Sequence, residues 1–112
     1  MERFAYSVLA LTLALIALPS GAAAATTTLD NLQAGFNGES NAHSRYLAFA
    51  EKADREGYGE VASLFRGAAK AEEVHAANHA AVIKKMGGTA QAKIETPVVK
   101  STKENLEAAI KG

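Results

Sequence analysis

Three side chains near the middle of this sequence, Glu39, Glu72 and His75, have types and spacings that suit a metal ion. Glu72 and His75 are three residues apart, a spacing that puts both side chains on one face of a helix. Glu39 and His75 are equally far in sequence from Gly57, so an antiparallel helical hairpin that turns there brings all three residues to one level. We therefore predict that Glu39, Glu72 and His75 share one metal centre.

The overall composition restricts the chemistry that such a centre can have. The chain has 112 residues, no cysteine, three histidines, 12 Lys+Arg and 12 Asp+Glu. Without cysteine, disulfides, thiolate metal sites and thiol nucleophiles are excluded, so the available metal ligands are carboxylates and imidazoles. The zero net charge gives no electrostatic reason to propose a nucleic-acid partner, and motifs for catalytic triads or phosphate-binding loops are absent.

Two long helices are needed to position these side chains. Apolar residues recur at steps of three and four on either side of Gly57, which predicts helices over 28–56 and 59–86 that end at glycines. The second apolar stripe is predicted to end at Val82 and Met86. Residues 88–101 form a connection, after which a capping signal starts another helix. The predicted fold is all-α, an antiparallel helical hairpin plus the start of a third helix.

Both apolar stripes are interrupted by polar side chains at mid-length. The interrupting residues are Glu39, His43, Glu72, His75 and His79. A buried carboxylate is costly unless it is paired or binds a metal, so these interruptions indicate function. For His43 and His79, packing in the core is weighed against a role beside the metal ligands. Tyr46 shares the first stripe, and it either hydrogen-bonds the site or packs in the core.

An internal repeat links the two ends of the predicted domain. Residues 28–38 align with residues 102–112, with threonine, asparagine, leucine, alanine and the closing glycine identical. One interpretation is that the two segments are merely helix starts with similar sequences. The other is a duplicated helical hairpin whose second half is missing from this chain.

Residues 1–25 have the layout of a secretory signal peptide. An uncharged apolar run over 4–18 is followed by Pro19-Ser20-Gly21 and by small residues suited to cleavage near Ala24 or Ala25. We expect an exported protein, periplasmic or secreted, whose mature domain of residues 26–112 is not held in a membrane. The alternative is an uncleaved membrane anchor.

Three segments resemble the diiron domain of rubrerythrins: Glu-Ser-Asn-Ala-His-Ser-Arg-Tyr at 39–46, Ala-Glu-Glu-Val-His-Ala-Ala-Asn-His at 71–79, and Met-Gly-Gly at 86–88. The similarity covers about 28–112. It implies a ferritin-like four-helix bundle, in which two helices each give a glutamate and two each give a Glu-x-x-His pair. Measured against that bundle, the domain is incomplete, because it lacks most of helix 3 and helix 4.

The resemblance also implies a function. Glu39, Glu72 and His75 match iron ligands, Glu72 as a bridging or chelating one, and Tyr46 matches a tyrosine near the irons. Rubrerythrins reduce hydrogen peroxide to water with two electrons from a pair of irons. Many carry a four-cysteine rubredoxin domain as electron donor; with no cysteine here, an external electron donor protein is expected.

The chain supplies two glutamates and one histidine, half of the implied ligand set. Either the sequence continues after Gly112 with the remaining helices, or two chains form a homodimer about a two-fold axis and complete the set. A non-enzymatic hairpin that binds iron or a partner helix is the alternative from a different functional class.

Overall fold

The structure is a computed structural model that describes residues 26–112, so the predicted signal peptide lies outside the described residues. Three helices follow one another in this range: α1 (Thr28–Arg55), α2 (Gly59–Lys85) and α3 (Thr102–Lys111). Helices α1 and α2 pack against each other along their length, and α3 contacts α1. This confirms the all-α prediction of a hairpin followed by a third helix. None of the three helices is long and apolar enough to cross a membrane.

Glycines end both long helices in the left-handed backbone conformation that favours this residue. Gly57 has φ +85° and Gly87 has φ +83°. Beyond them, the Tyr58 N–H donates to the Ala53 carbonyl at 2.8 Å, and the Gly88 N–H donates to the Ile83 carbonyl at 3.0 Å. These bonds reach back over the last turn and satisfy carbonyls that a helix end leaves open. The hairpin turn is therefore set by local backbone chemistry at Gly57.

The first and third helices begin with the same capping arrangement. Thr27 accepts from the Asp30 N–H at 3.1 Å, and Ser101 accepts from the Glu104 N–H at 3.2 Å. Each acidic side chain in turn accepts from the backbone N–H of its capping residue, which makes a capping box. The backbone hydrogen bond from Thr27 lowers the pKa of Asp30, and the hydroxyl of Ser101 lowers that of Glu104. The internal repeat thus extends to the cap of each helix.

The hairpin core is centred on aromatic rings near the turn. Phe49 and Phe65 meet edge to face with ring centroids 5.3 Å apart, and the ring of Tyr46 stacks on Phe65 at 6.0 Å. Small residues, Ala53 and Ala62 among them, let the two helices approach closely here. The cluster fixes the helix pair some turns away from the predicted metal ligands.

The predicted stripe of α2 is wrong at its carboxyl end. Val82 is 43% exposed and Met86 is also exposed, whereas Ile83 is 0% exposed. Helix α2 carries apolar residues on two adjacent faces, and only the face that includes Ile83 packs on α1. The spacing of apolar residues cannot predict which of the two faces is buried, because on both faces apolar residues recur every three to four positions.

The connection between α2 and α3 runs in an extended path along α1, where amide side chains hold its backbone. These amides, at every fourth position of α1, belong to Gln33, Asn37 and Asn41. Asn37 accepts from the Lys93 N–H at 2.8 Å, and Asn41 accepts from the Glu95 N–H at 2.8 Å while donating to the Lys93 carbonyl at 2.9 Å. We call this set the amide ladder. The amide ladder hydrogen-bonds only main-chain atoms of the connection. It therefore fixes the path of the connection whatever side chains the connection carries.

The start of α3 is anchored at the turn end of the hairpin. The Glu56 carboxylate accepts from the Thr102 N–H with both oxygens at 3.3 Å. Burial disfavours the charge of Glu56, but hydrogen bonds from Thr102 and the neighbouring Lys52 outweigh it and lower its pKa. Asn105 is buried and closes a loop with Lys100, accepting from its N–H at 2.9 Å and donating to its carbonyl at 3.1 Å. Helix α3 is thereby held beside α1.

Candidate metal centre

The structure brings together the three residues whose spacing predicted a metal centre. Glu39 comes from α1, Glu72 and His75 come from α2, and one ligand atom from each lies within 4.8 Å of the others. Within α2, the His75 Nδ1 lies 3.5 Å from the Glu72 Oε2. The side chains of Glu39 and Glu72 are 21% and 25% exposed, and that of His75 is 57% exposed. The site is therefore half-buried, with its imidazole on the open side.

The Glu39 carboxylate fits a cation. Its Oε2 is buried and has no well-aligned hydrogen bond. A second carboxylate, that of Glu72, lies within the same 4.8 Å group. Two carboxylates this close repel each other unless a cation or a proton lies between them. Carboxylate and imidazole are ligands that iron accepts, so the residues present fit the metal that the resemblance implies.

His79 lies against Glu39 rather than in the ligand group. Its Nδ1 is 2.8 Å from the Glu39 Oε2 and 3.0 Å from the carbonyl oxygen of His75, one turn earlier on α2. The carbonyl receives the better-aligned bond, so the approach to Glu39 is close but bent. Gly35 lies opposite the ring on α1. A Cβ at this position would come 2.9 Å from the His79 Nε2, closer than real Cβ contacts.

The other two residues predicted beside the metal ligands have structural partners. His43 places its Nδ1 2.7 Å from the carbonyl oxygen of Ala69, across the helix pair. Tyr46 packs its ring into the aromatic cluster with Phe49 and Phe65, and the Arg45 guanidinium lies 5.5 Å from its ring centroid. Within residues 26–112, no hydrogen bond joins Tyr46 to the carboxylates of the site.

Gly35 was not singled out by the sequence, although one signal pointed to it. It is a glycine inside a long helix, one turn before Glu39, and a helical glycine costs about 1 kcal/mol relative to alanine. Such a cost is tolerated where a side chain would collide with a neighbour. The neighbour here is an imidazole on another helix, and its position could not be known before α1 and α2 were placed.

Comparison with known proteins identifies relatives of this chain. The family model described as Rubrerythrin matches residues 30–112. Nigerythrin of Nitratidesulfovibrio vulgaris is 42% identical over 60 residues, which are 54% of this chain and 30% of that protein. Rubrerythrin of Porphyromonas gingivalis is 38% identical over 87 residues, 76% of this chain and 42% of that protein. Reverse rubrerythrin-1 of Clostridium acetobutylicum is 37% identical over 82 residues, 73% of this chain and 39% of that protein.

The chain spans less than half the length of these curated relatives. No solved structure gave a significant match. The family model nevertheless covers α2, α3 and all but the first two residues of α1. It includes Glu39, Glu72 and His75, the candidate metal-ligand group. The chain belongs to the rubrerythrin family.

Proposed function

We propose that this chain contributes half of a diiron site that reduces hydrogen peroxide to water. The observation that carries the proposal is the group formed by Glu39, Glu72 and His75, whose ligand atoms lie within 4.8 Å of one another. The buried Oε2 of Glu39 supports it, because this oxygen accepts no well-aligned hydrogen bond and such an oxygen favours a cation. The relatives are named rubrerythrin, nigerythrin and reverse rubrerythrin.

In this proposal, Glu39 and Glu72 hold iron from opposite helices and His75 binds it from the open side of the site. An iron pair held there would supply two electrons, which with two protons are what the reduction of one hydrogen peroxide to two waters requires. His75 is the most exposed of the three side chains, so a small substrate reaches the site at this edge. The electrons would be restored by a donor outside residues 1–112, since these residues contain no cysteine for a rubredoxin-type centre.

We propose that a second copy of the chain completes the ligand set. Doubling the group about a two-fold axis gives four carboxylates and two imidazoles, the set that the ferritin-like pattern uses. Two of the exposed apolar residues, Val82 of α2 and Met86 directly after it, would be covered by the partner. Sedimentation with and without iron tests this step: a dimer that binds two irons is expected, and a monomer that binds two irons would contradict it.

Anaerobic loading with Fe(II), followed by hydrogen peroxide, tests the function. We expect stoichiometric oxidation of iron, seen as near-ultraviolet absorbance, and turnover when a reductant is added. Glu72→Ala should abolish this response. The matched control is Glu73→Ala, because Glu73 is the next residue of the same helix and pairs with Lys70 at 3.0 Å outside the group. Equal oxidation in wild type and Glu72→Ala would exclude the proposed site.

A second candidate, iron binding without peroxide reduction, is favoured by the half-buried, open state of the site. The two candidates differ in one result. An iron-binding hairpin takes up Fe(II) and is oxidised once, whereas an enzyme consumes peroxide repeatedly in the presence of a reductant. Loss of turnover with retained iron binding would select the binding function.

We also propose that the protein is exported and cleaved near Ala24 or Ala25, as the sequence of residues 1–25 predicts. Mass spectrometry of the protein isolated from its producing cells would locate the cleavage. A mature chain that starts at Met1 would contradict export by this route.

A further inference from the structure

The imidazole of His79 is fixed on both of its nitrogen sides. Its Nδ1 lies between two oxygens, the Glu39 Oε2 at 2.8 Å and the His75 carbonyl at 3.0 Å. Its Nε2 faces the backbone of α1 at Gly35, where an added Cβ would lie 2.9 Å from Nε2, so the ring would have to shift. The ring therefore bridges α2 and α1 immediately beside the metal-ligand group, although it supplies no ligand atom to it.

This arrangement restricts the position of the Glu39 carboxylate, which sits at the end of a side chain with three rotatable bonds. An unrestrained carboxylate at the end of such a chain would occupy several positions, and each lost position costs conformational entropy when metal binds. The Glu39 Oε2 is buried at the point where it meets His79. The approach is bent, so the imidazole limits where Oε2 lies without occupying it with a strong hydrogen bond.

We propose that His79 is a positioning residue for the Glu39 carboxylate, and that Gly35 is the gap that admits its ring. The inference rests on the proposed function for its consequence, namely metal binding, but the contact between His79 and Glu39 can be measured without a metal. A group that hydrogen-bonds or orients a metal ligand commonly contributes about 10- to 100-fold to metal affinity. Gly35 acts on Glu39 only indirectly, because it determines where the His79 ring lies.

The geometry also assigns the tautomer of His79. Both neighbours of Nδ1 are oxygen acceptors, so the tautomer that fits them has its proton on Nδ1. Long-range ¹H–¹⁵N correlation spectra of the metal-free protein, recorded at pH 8, read this state directly. The Nδ1–H tautomer is expected, and a dominant Nε2–H tautomer would overturn the proposed contact.

Paired glycine variants test the consequence with a built-in control. Gly35→Ala places a methyl group against His79, whereas Gly38→Ala, on the same helix, meets nothing within 4 Å. Co(II) titration followed by visible absorption is the probe. Gly35→Ala is expected to weaken Co(II) binding about tenfold or more, and Gly38→Ala to leave it unchanged. Equal affinities of the two variants would overturn the role of Gly35.

A double-mutant cycle separates positioning from damage to the fold. His79→Ala should weaken Co(II) binding while thermal unfolding stays cooperative, and adding Gly35→Ala to His79→Ala should cost no further affinity, because the clash is gone. Additive losses would show that Gly35 acts independently of His79 and would overturn the inference. If wild type binds no Co(II), the proposed function fails, whereas a dominant Nε2–H tautomer would overturn the contact of His79 independently of any metal.

Discussion

The Nδ1 of His43 on α1 lies 2.7 Å from the carbonyl oxygen of Ala69 on α2. The contact lies along the hairpin between the metal-ligand group and the aromatic cluster. A side-chain donor that crosses to a backbone carbonyl of another helix fixes how the two helices slide past each other. The register that brings Glu39 level with Glu72 therefore has a structural support of its own, separate from the metal.

Removing that support should lower stability and leave the proposed metal ligands in place. His43→Leu removes one partly buried hydrogen bond and is expected to reduce the free energy of unfolding by about 1 kcal/mol. His75→Leu is the matched control, because it changes an exposed imidazole on the same hairpin and should shift stability by less than about 0.5 kcal/mol. Urea unfolding of the metal-free protein measures both.

The same two variants should show the opposite order in metal binding. His75→Leu removes a proposed ligand and should weaken Co(II) binding strongly, while His43→Leu should retain most of it. An unchanged Co(II) affinity in His75→Leu would contradict the role of this imidazole, whatever the stability results are.

The aromatic cluster should carry a large share of the stability of the hairpin. Phe49 is 1% exposed and meets both Phe65 and Tyr46, so Phe49→Ala leaves a cavity and is expected to cost about 3–5 kcal/mol. Leu47→Ala, two residues earlier and exposed, should cost less than about 1 kcal/mol. Denaturant unfolding at fixed pH compares the two. Similar losses would show that the cluster does not dominate the core.

Local signals in the sequence were sufficient for the helices. The predicted ranges 28–56 and 59–86 differ from α1 and α2 by one residue at their carboxyl ends, because glycines at the ends act on backbone conformation alone. The capping signal at Ser101 was also local, since the cap and its acidic partner are three residues apart. The level of the metal-ligand residues followed from the turn position and the helical rise.

The features that the sequence did not predict depend on contacts between distant parts of the chain. The predicted stripe of α1 passed through Tyr46 and Ala50 and omitted Phe49. Phe49 is buried nevertheless, because α1 is covered on two sides, by α2 and by the segment that leads into α3. The amide ladder joins α1 to a connection more than fifty residues later in the chain. Its sequence signal is an amide side chain at every fourth position of α1. A solvent-exposed helix face shows the same pattern, so the pattern alone could not tell whether these amides bind another segment or water.

The amide ladder predicts slow hydrogen exchange at two amides of an otherwise irregular segment. The Lys93 N–H donates to Asn37 and the Glu95 N–H donates to Asn41, so both should exchange more slowly than neighbouring amides of the connection. Asn37→Ala should remove the protection of Lys93 and leave that of Glu95 partly intact. Asn78→Ala, which changes an exposed asparagine of α2, is the control. Fast exchange at both amides in the wild type would contradict the ladder.

The capping box of α3 predicts how its stability depends on pH. The Ser101 hydroxyl and backbone N–H lower the pKa of Glu104 relative to the unfolded chain, so the unfolded state binds the proton more readily. The stabilisation from this carboxylate is therefore fully present above its ordinary pKa of about 4, and it is lost as pH falls through the lowered folded value.

Glu104→Gln keeps a capping acceptor but cannot titrate. It should leave stability at pH 6 nearly unchanged and make the loss between pH 5 and pH 3 smaller than in the wild type. Glu107→Gln, an exposed residue of the same helix outside the capping box, should keep the wild-type slope. Urea unfolding at each pH measures all three proteins, and identical slopes for wild type and Glu104→Gln would show that the cap does not couple to protonation.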